Sequence, residues 1–276
     1  MLLLALGVPG AFAQGTGGGQ DEMNSTPIQA GYVIVTPTSG EPGALVVFET
    51  FGERRGKDIP QAGVLPSSIS TRFLLFVSKS GRLSRNLGVA IANPNKSKDA
   101  HLELTLRDDL GLKAADMLPI TVGAGKQVAW MVTELFPDQP SVPQDFVGTL
   151  DIFSTDEPVA VIGLRFRGMN FSTLPATRIG PAEPWPSDPV AGGPGSVILP
   201  HFVTGGGWAT EIVLVNSNTD PLADPLKVRV DLFTQSGDPL TAQLNGITAS
   251  SFSDIEIPSG GVKVLSKRDL NGDSEP

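Results

Sequence analysis

The chain has 276 residues with a net charge of −9, which sets it against nucleic acid, whose phosphates call for a basic patch. It has no cysteine, which excludes disulfides, thiolate metal sites and a lipid-anchored thiol. High Gly (32) and Pro (24) with 40% hydrophobic and only 6% aromatic content point to many short strands, joined by turns around Val, Leu and Ile cores.

The first residues, MLLLALGVPGAFAQ, form an apolar run ending in Ala11-Phe12-Ala13, a cleavage pattern before Gln14. Residues 1–13 are read as a signal peptide and 14–29 as a flexible Gly- and Gln-rich leader. An exported chain without disulfides suits a bacterial periplasm, cell surface or extracellular space. No segment of the mature chain is apolar for long enough to form a membrane helix.

Strands begin at residue 30. Gly31 to Pro37 and Ala44 to Phe51 read as a hairpin over 30–52, and residues 52–70 as a long loop. A first sandwich over 71–178 follows. It comprises FLLFVS from Phe73, LGVAIANP from Leu87, HLELTLRD from His101, KQVAWM from Lys126 with a short helical turn at TELF, a second hairpin of GTLDIFS and PVAVIGLRF, and FSTLPA from Phe171. In HLELTLRD, Leu102, Leu104 and Leu106 are expected to share one face. Residues 179–196 carry too many prolines and glycines for a core element and read as a linker. A second sandwich over 197–266 is built from VILPHFV, TEIVLVN, LKVRVDLF, SFSDIEI and VKVL, and 267–276 is read as a disordered tail.

Three pairs of segments match one another. EPGALVVFETFG (Glu41 to Gly52) matches EPVAVIGLRFRG (Glu157 to Gly168), VAIANPN (from Val89) matches IVLVNSN (from Ile212), and LELTLRDDLG (from Leu102) matches VRVDLFTQSG (from Val228). The order is therefore a back half, a whole unit, then a front half. A half-unit cannot bury its own apolar face. The expected fold is all-β: two antiparallel Ig-like sandwiches, the second completed by the N-terminal hairpin, with contacts between residues 31–51 and 197–266. Exchange between neighbouring molecules, giving head-to-tail self-association, and simple extension of the first sandwich are the two alternatives.

The stretch VILPHFVTGGGWATEIVLVN, with GYVIVTPTSGEP, VAIANPN, FVGTL, EPVAVIGLR and F-x-TLP around it, resembles a recurring domain of large exported proteins of acidobacteria and related soil bacteria, whose pattern is close to PHFADGGGW…VLVNP. The resemblance spans residues 31–265. It implies tandem exported β-rich modules of no established activity. Val203-Thr204 and Ser217 depart from that pattern.

Candidate chemistry is sparse. Gly205-Gly206-Gly207 reads as a hairpin turn with Trp208 packed over it; the functional alternative is a sugar- or peptide-binding platform made by Trp208 and His201. Two histidines, His101 and His201, with no cysteine do not point to a closed structural zinc site, and neither lies in a hydrolase motif. Asp269, Asn271 and Asp273 match the first ligand positions of a calcium loop, but Ser274 stands where glycine is needed and the terminal glutamate position lies past Pro276. No cofactor or metal is expected. The reading is a non-catalytic structural or adhesive module of the cell envelope facing a cell-surface or extracellular ligand. A carbohydrate- or peptide-binding module is the first alternative and a hydrolase with an unrecognised site the second.

Overall fold

The computed structural model describes residues 30–39, 45–52, 61–179, 197, 199–206, 208–268 and 274–275. The expected signal peptide, the leader, the linker beyond Ile179 and the calcium-loop residues Asp269, Asn271 and Asp273 lie outside the described residues. The chain divides into two units, Met1–Gly43 and Ala44–Pro276. In the first unit, residues 30–39 carry no strand and are exposed throughout, with Val33 at 80%.

The second unit is almost entirely antiparallel β-structure. It opens with a ribbon of β1 (Glu49–Gly52) and β2 (Gln61–Val64). Next in chain order are β3 (Ile69–Ser70), β4 (Arg72–Lys79), β5 (Arg85–Ala92), β6 (Ala100–Asp108), β7 (Leu118–Val122), β8 (Gln127–Met131), helix α1 (Val132–Leu135), β9 (Phe146–Ser154), β10 (Val159–Arg167), β11 (Asn170–Pro175) and β12 (Thr177–Arg178). They form two sheets, one in the order β11-β10-β5-β8 with β3 on β10, the other in the order β12-β4-β9-β6-β7. The alternation in β6 works as expected: Leu102, Leu104 and Leu106 are buried against Leu87, Val89 and Ile91 of β5 and Val159 and Val161 of β10 in one core. Those two faces make the sandwich, because each apolar side chain removed from water contributes about 1.5–3 kcal/mol.

The structure corrects the two expected hairpins. β1 pairs with β2, inside the stretch read as a loop, and Gly31–Pro37 carries no strand. β9 and β10 do not pair with each other either. β9 lies between β4 and β6, whereas β10 lies between β5 and β11 in the other sheet. The four residues from Thr155 to Pro158 carry the chain across the sandwich. Both strands bury apolar residues in the one core, Leu150 and Ile152 from β9 and Val159 and Val161 from β10, so facing sheets satisfy them where a flat hairpin would expose one set.

The C-terminal part contains β13 (Glu211–Val215), β14 (Leu226–Asp231), β15 (Ala242–Leu244), β16 (Ile247–Ala249), β17 (Ser251–Ile257), β18 (Val262–Arg268) and β19 (Ser274–Glu275). β13 pairs with β18, β14 with β17 and β15 with β16, around a second core of Ile212, Leu232, Leu244, Phe252, Ile255, Ile257 and Leu265. A bulge at Ser253–Asp254 shifts the β14–β17 register, and Asp254 has a φ of 57° there. The described residues of VILPHFV, 197 and 199–203, carry no strand: Pro200 has no N–H to offer, and no partner strand lies beside them among the described residues. The tail expected over 267–276 is partly ordered, since β19 pairs with Lys267 and Arg268 of β18.

The two cores are joined through backbone. Val262 N–H of the C-terminal part donates to Asp109 O of the first sandwich at 2.9 Å. Gly111 sits at φ 82°, and a Cβ there would come within 1.9 Å of Ser259 O, so this close approach requires glycine. On the other flank Arg165 of β10 donates to the buried Glu211 of β13 at 2.8 Å.

Candidate functional site

The segment that carries Trp208 is fixed from both ends. Phe202 packs against the second core. The Thr210 hydroxyl donates to Val203 O at 2.8 Å and accepts from Val203 N at 3.0 Å, closing the loop. Gly205 and Trp208 exchange both backbone hydrogen bonds, at 3.0 and 2.9 Å, so the turn between them has two residues. Gly206, the first of those two, has a φ of 58°, the left-handed conformation such a tight turn demands, and Gly205 before it has a φ of 89°. The expected glycine turn is therefore present at Gly205 and Gly206; Gly207 lies outside the described residues.

The indole is largely uncovered. Trp208 is 68% exposed, and His201 on the same segment is exposed too. Leu199, Val197 and Phe233 of this C-terminal part are also exposed. An uncovered indole beside a two-residue turn offers a flat apolar face with an N–H at its edge, the chemistry used to stack a sugar ring or an aliphatic side chain.

His101 enters a cluster that sequence reading missed. Its ring Nδ1 lies 2.6 Å from Asp156 Oδ2, and its backbone N–H donates to Asp156 Oδ1 at 3.0 Å. These bonds, with a third from Glu157 N–H, hold the Asp156 carboxyl down at about 2, and the bond to Asp156 raises the His101 pKa. Glu157 accepts from Asn95 Nδ2 at 2.8 Å and pairs with Lys98 at 2.9 Å; these contacts lower its pKa, Lys98 most. The nearby Ser154 hydroxyl donates to Glu157 O at 2.6 Å, not to the imidazole, so serine, histidine and aspartate do not line up as a relay. The cluster clasps the corner where the chain crosses from β9 to β10. The one clue in the sequence is the matching Glu-Pro pair at Glu41 and Glu157.

A shallow recess of about 300 Å³ is lined by Lys79, Ser84, Arg85, Thr133, Asp138 and Gln144. Lys79 is buried and paired with Asp138. Among the described residues no three His, Asp or Glu side chains gather in a way that could hold a metal ion, and no helix is long and apolar enough to cross a membrane.

The other prominent feature is main-chain. In the first sandwich β5 lies between β10 and β8, and β6 between β9 and β7. In the C-terminal part β13 has β18 on one side and β14 has β17 on one side, with no strand on the other edge of either among the described residues. Comparison with protein-family models, with curated proteins and with solved structures returned no match.

Proposed function

We propose that this chain is an exported, non-catalytic structural or adhesive module of the bacterial cell envelope, one of the recurring β-rich domains that its PHFVTGGGW segment resembles. The observation that carries the reading is the pair of strands β13 and β14, each with a strand on one side only among the described residues: an open strand edge is the natural seat for another strand and serves assembly. The leader-like MLLLALGVPGAFA run supports export.

A second reading, carbohydrate or peptide binding around Trp208 and His201, is favoured by the 68% exposure of the indole. Retention of the purified chain on isolated cell envelopes, read alongside a glycan array, separates the two. The structural module predicts envelope retention that Trp208→Ala leaves within about twofold. A tenfold or greater loss, about 1.4 kcal/mol, accompanied by loss of a glycan signal, transfers the function to the aromatic site. Absence of any envelope retention rejects the proposal.

A further inference from the structure

The two bare edges have a counterpart in the sequence. The hydrogen bonds of the matching segments fix their equivalence residue by residue. Asn93 donates to Val122 O at 3.0 Å and accepts from Asn95 N at 3.0 Å; Asn216 donates to Ile257 O at 3.1 Å and accepts from Asn218 N at 3.1 Å. Ala100 opposes Val122 in β6–β7, and Leu226 opposes Ile257 in β14–β17. β13, β14, β17 and β18 thus stand where β5, β6, β7 and β8 stand in the first sandwich. The places of β9 and β10 are empty among the described residues.

The residues that match β9 and β10 are at the front of the chain. GYVIVTP, from Gly31, places Val33 and Val35 where β9 has the fully buried Leu150 and Ile152. Gly31 falls at the position of Gly148, where any Cβ would come within 1.9 Å of Arg107 O, so the match includes a position that needs glycine. Leu45 falls at the position of Val161, buried in the core from β10. Residues 30–39 and 45–48 contain no charged side chain, and Val33, Ile34, Val35, Leu45, Val46 and Phe48 are exposed. A neutral apolar run of this kind lacks the charges that guard natural edge strands. The chain's own ribbon is engaged on its first sandwich: Phe51 stacks on Phe171 at 5.2 Å, and the Thr173 hydroxyl donates to Gly63 O at 2.7 Å.

We infer that residues 31–37 and 45–48 of a second copy of this chain complete the second sandwich, entering beside β14 and β13. The register follows from the first sandwich. Leu104 opposes Ile152, so Val230 opposes Val35; Ile91 opposes Val161, so Leu214 opposes Leu45. Donor and acceptor surfaces lie at opposite ends of the sequence, so the contact is head-to-tail and extends into chains. The inference does not depend on the envelope assignment, because the purified chain in solution tests it.

The absence of native cysteine makes the test direct. When the single variants Val35→Cys and Val230→Cys are mixed and oxidised, a disulfide joining position 35 of one chain to position 230 of the other is expected, identified by peptide mass. The double variant is expected to give dimers and longer ladders. A double variant that closes within one chain overturns the inference, as does a mixture that forms no 35–230 disulfide. Val33→Asp/Val35→Asp changes two side chains that are exposed in the structure, so folding is kept, and its β-type circular dichroism checks that. This variant is expected to remain monomeric at concentrations where the parent chain associates. Association equal to that of the parent chain also overturns the inference.

Discussion

The first sandwich and the C-terminal part use one design with different outcomes. Leu102, Leu104 and Leu106 of β6 are exposed by 1% or less; of their equivalents, Val228 and Val230 in β14 are only half-buried, while Leu232 just past β14 is buried at 6%. The local pattern is the same alternation in both. What differs is the presence of β9 and β10, which flank β6 and β5 in the first case and have no described counterpart in the second. Burial in a sandwich is set by the strands that arrive from elsewhere in the chain, so an amphipathic strand states a capacity for burial that its neighbours must fulfil.

The sharpest way to break that comparison is to truncate equivalent side chains. Leu104→Ala is expected to lower unfolding free energy by about 2–5 kcal/mol, because a fully enclosed side chain leaves a cavity. Val230→Ala is expected to cost about 1 kcal/mol or less, because water already reaches it. Urea titration of dilute protein measures both. If Val230→Ala proves as damaging as Leu104→Ala, the β14 edge is covered in solution and the contrast disappears.

A finer comparison uses the paired asparagines. Asn93 is fully buried and donates to both Lys98 O and Val122 O while accepting from Asn95 N. Asn216 repeats the bonds to strand and turn but donates to a single carbonyl, that of Ile257. Leaving buried carbonyls without a donor costs about 1–3 kcal/mol, so Asn93→Ala is expected near the top of that range and Asn216→Ala near the bottom. Equal losses would show that the second turn is as tightly enclosed as the first.

Much of this was legible beforehand. The leucine alternation of β6, the strand-then-turn of Gln127 to Leu135, and the Asn93-Pro94-Asn95 turn all follow from patterns within ten residues. The pairing of strands was not. GTLDIFS and PVAVIGLRF are separated by three residues, the spacing of a hairpin, yet they enter opposite sheets, because both bury apolar residues in one core between facing sheets; the corner also meets His101, Asn95 and Lys98, which no local pattern names. VILPHFV has strand composition, yet its described residues carry no strand, since a ladder needs a partner that composition does not name. For the candidate site, the tight glycine turn was readable from its residues. The exposure of Trp208 was not, because an aromatic beside a turn suits a covered and an uncovered position equally.

The smallest expected effect concerns the corner clasp, which the first sandwich has and which tests whether the β9-to-β10 crossing is held in solution. His101 is raised by its hydrogen bond to Asp156 and by the charges of Asp156 and Asp99, so its contribution to stability is complete below the ordinary histidine value of about 6.5 and is lost as pH rises through the raised folded value. Asp156 is held at about 2, so its contribution is present above the ordinary carboxyl value of about 3.9 and is lost as pH falls towards 2. The clasp is therefore complete between these limits, from mildly acidic pH up to the ordinary histidine value. The groups are solvent-exposed and the change in global stability is correspondingly slight. The imidazole reports it directly: with two histidines in the chain, His201→Gln leaves a single C2–H resonance to follow. That resonance is expected to titrate above 6.5 in the parent background and to fall back towards it in Asp156→Asn. A titration that Asp156→Asn does not move would mean that the corner turns without the clasp, and that the Val159–Arg167 strand reaches its sheet through core packing alone.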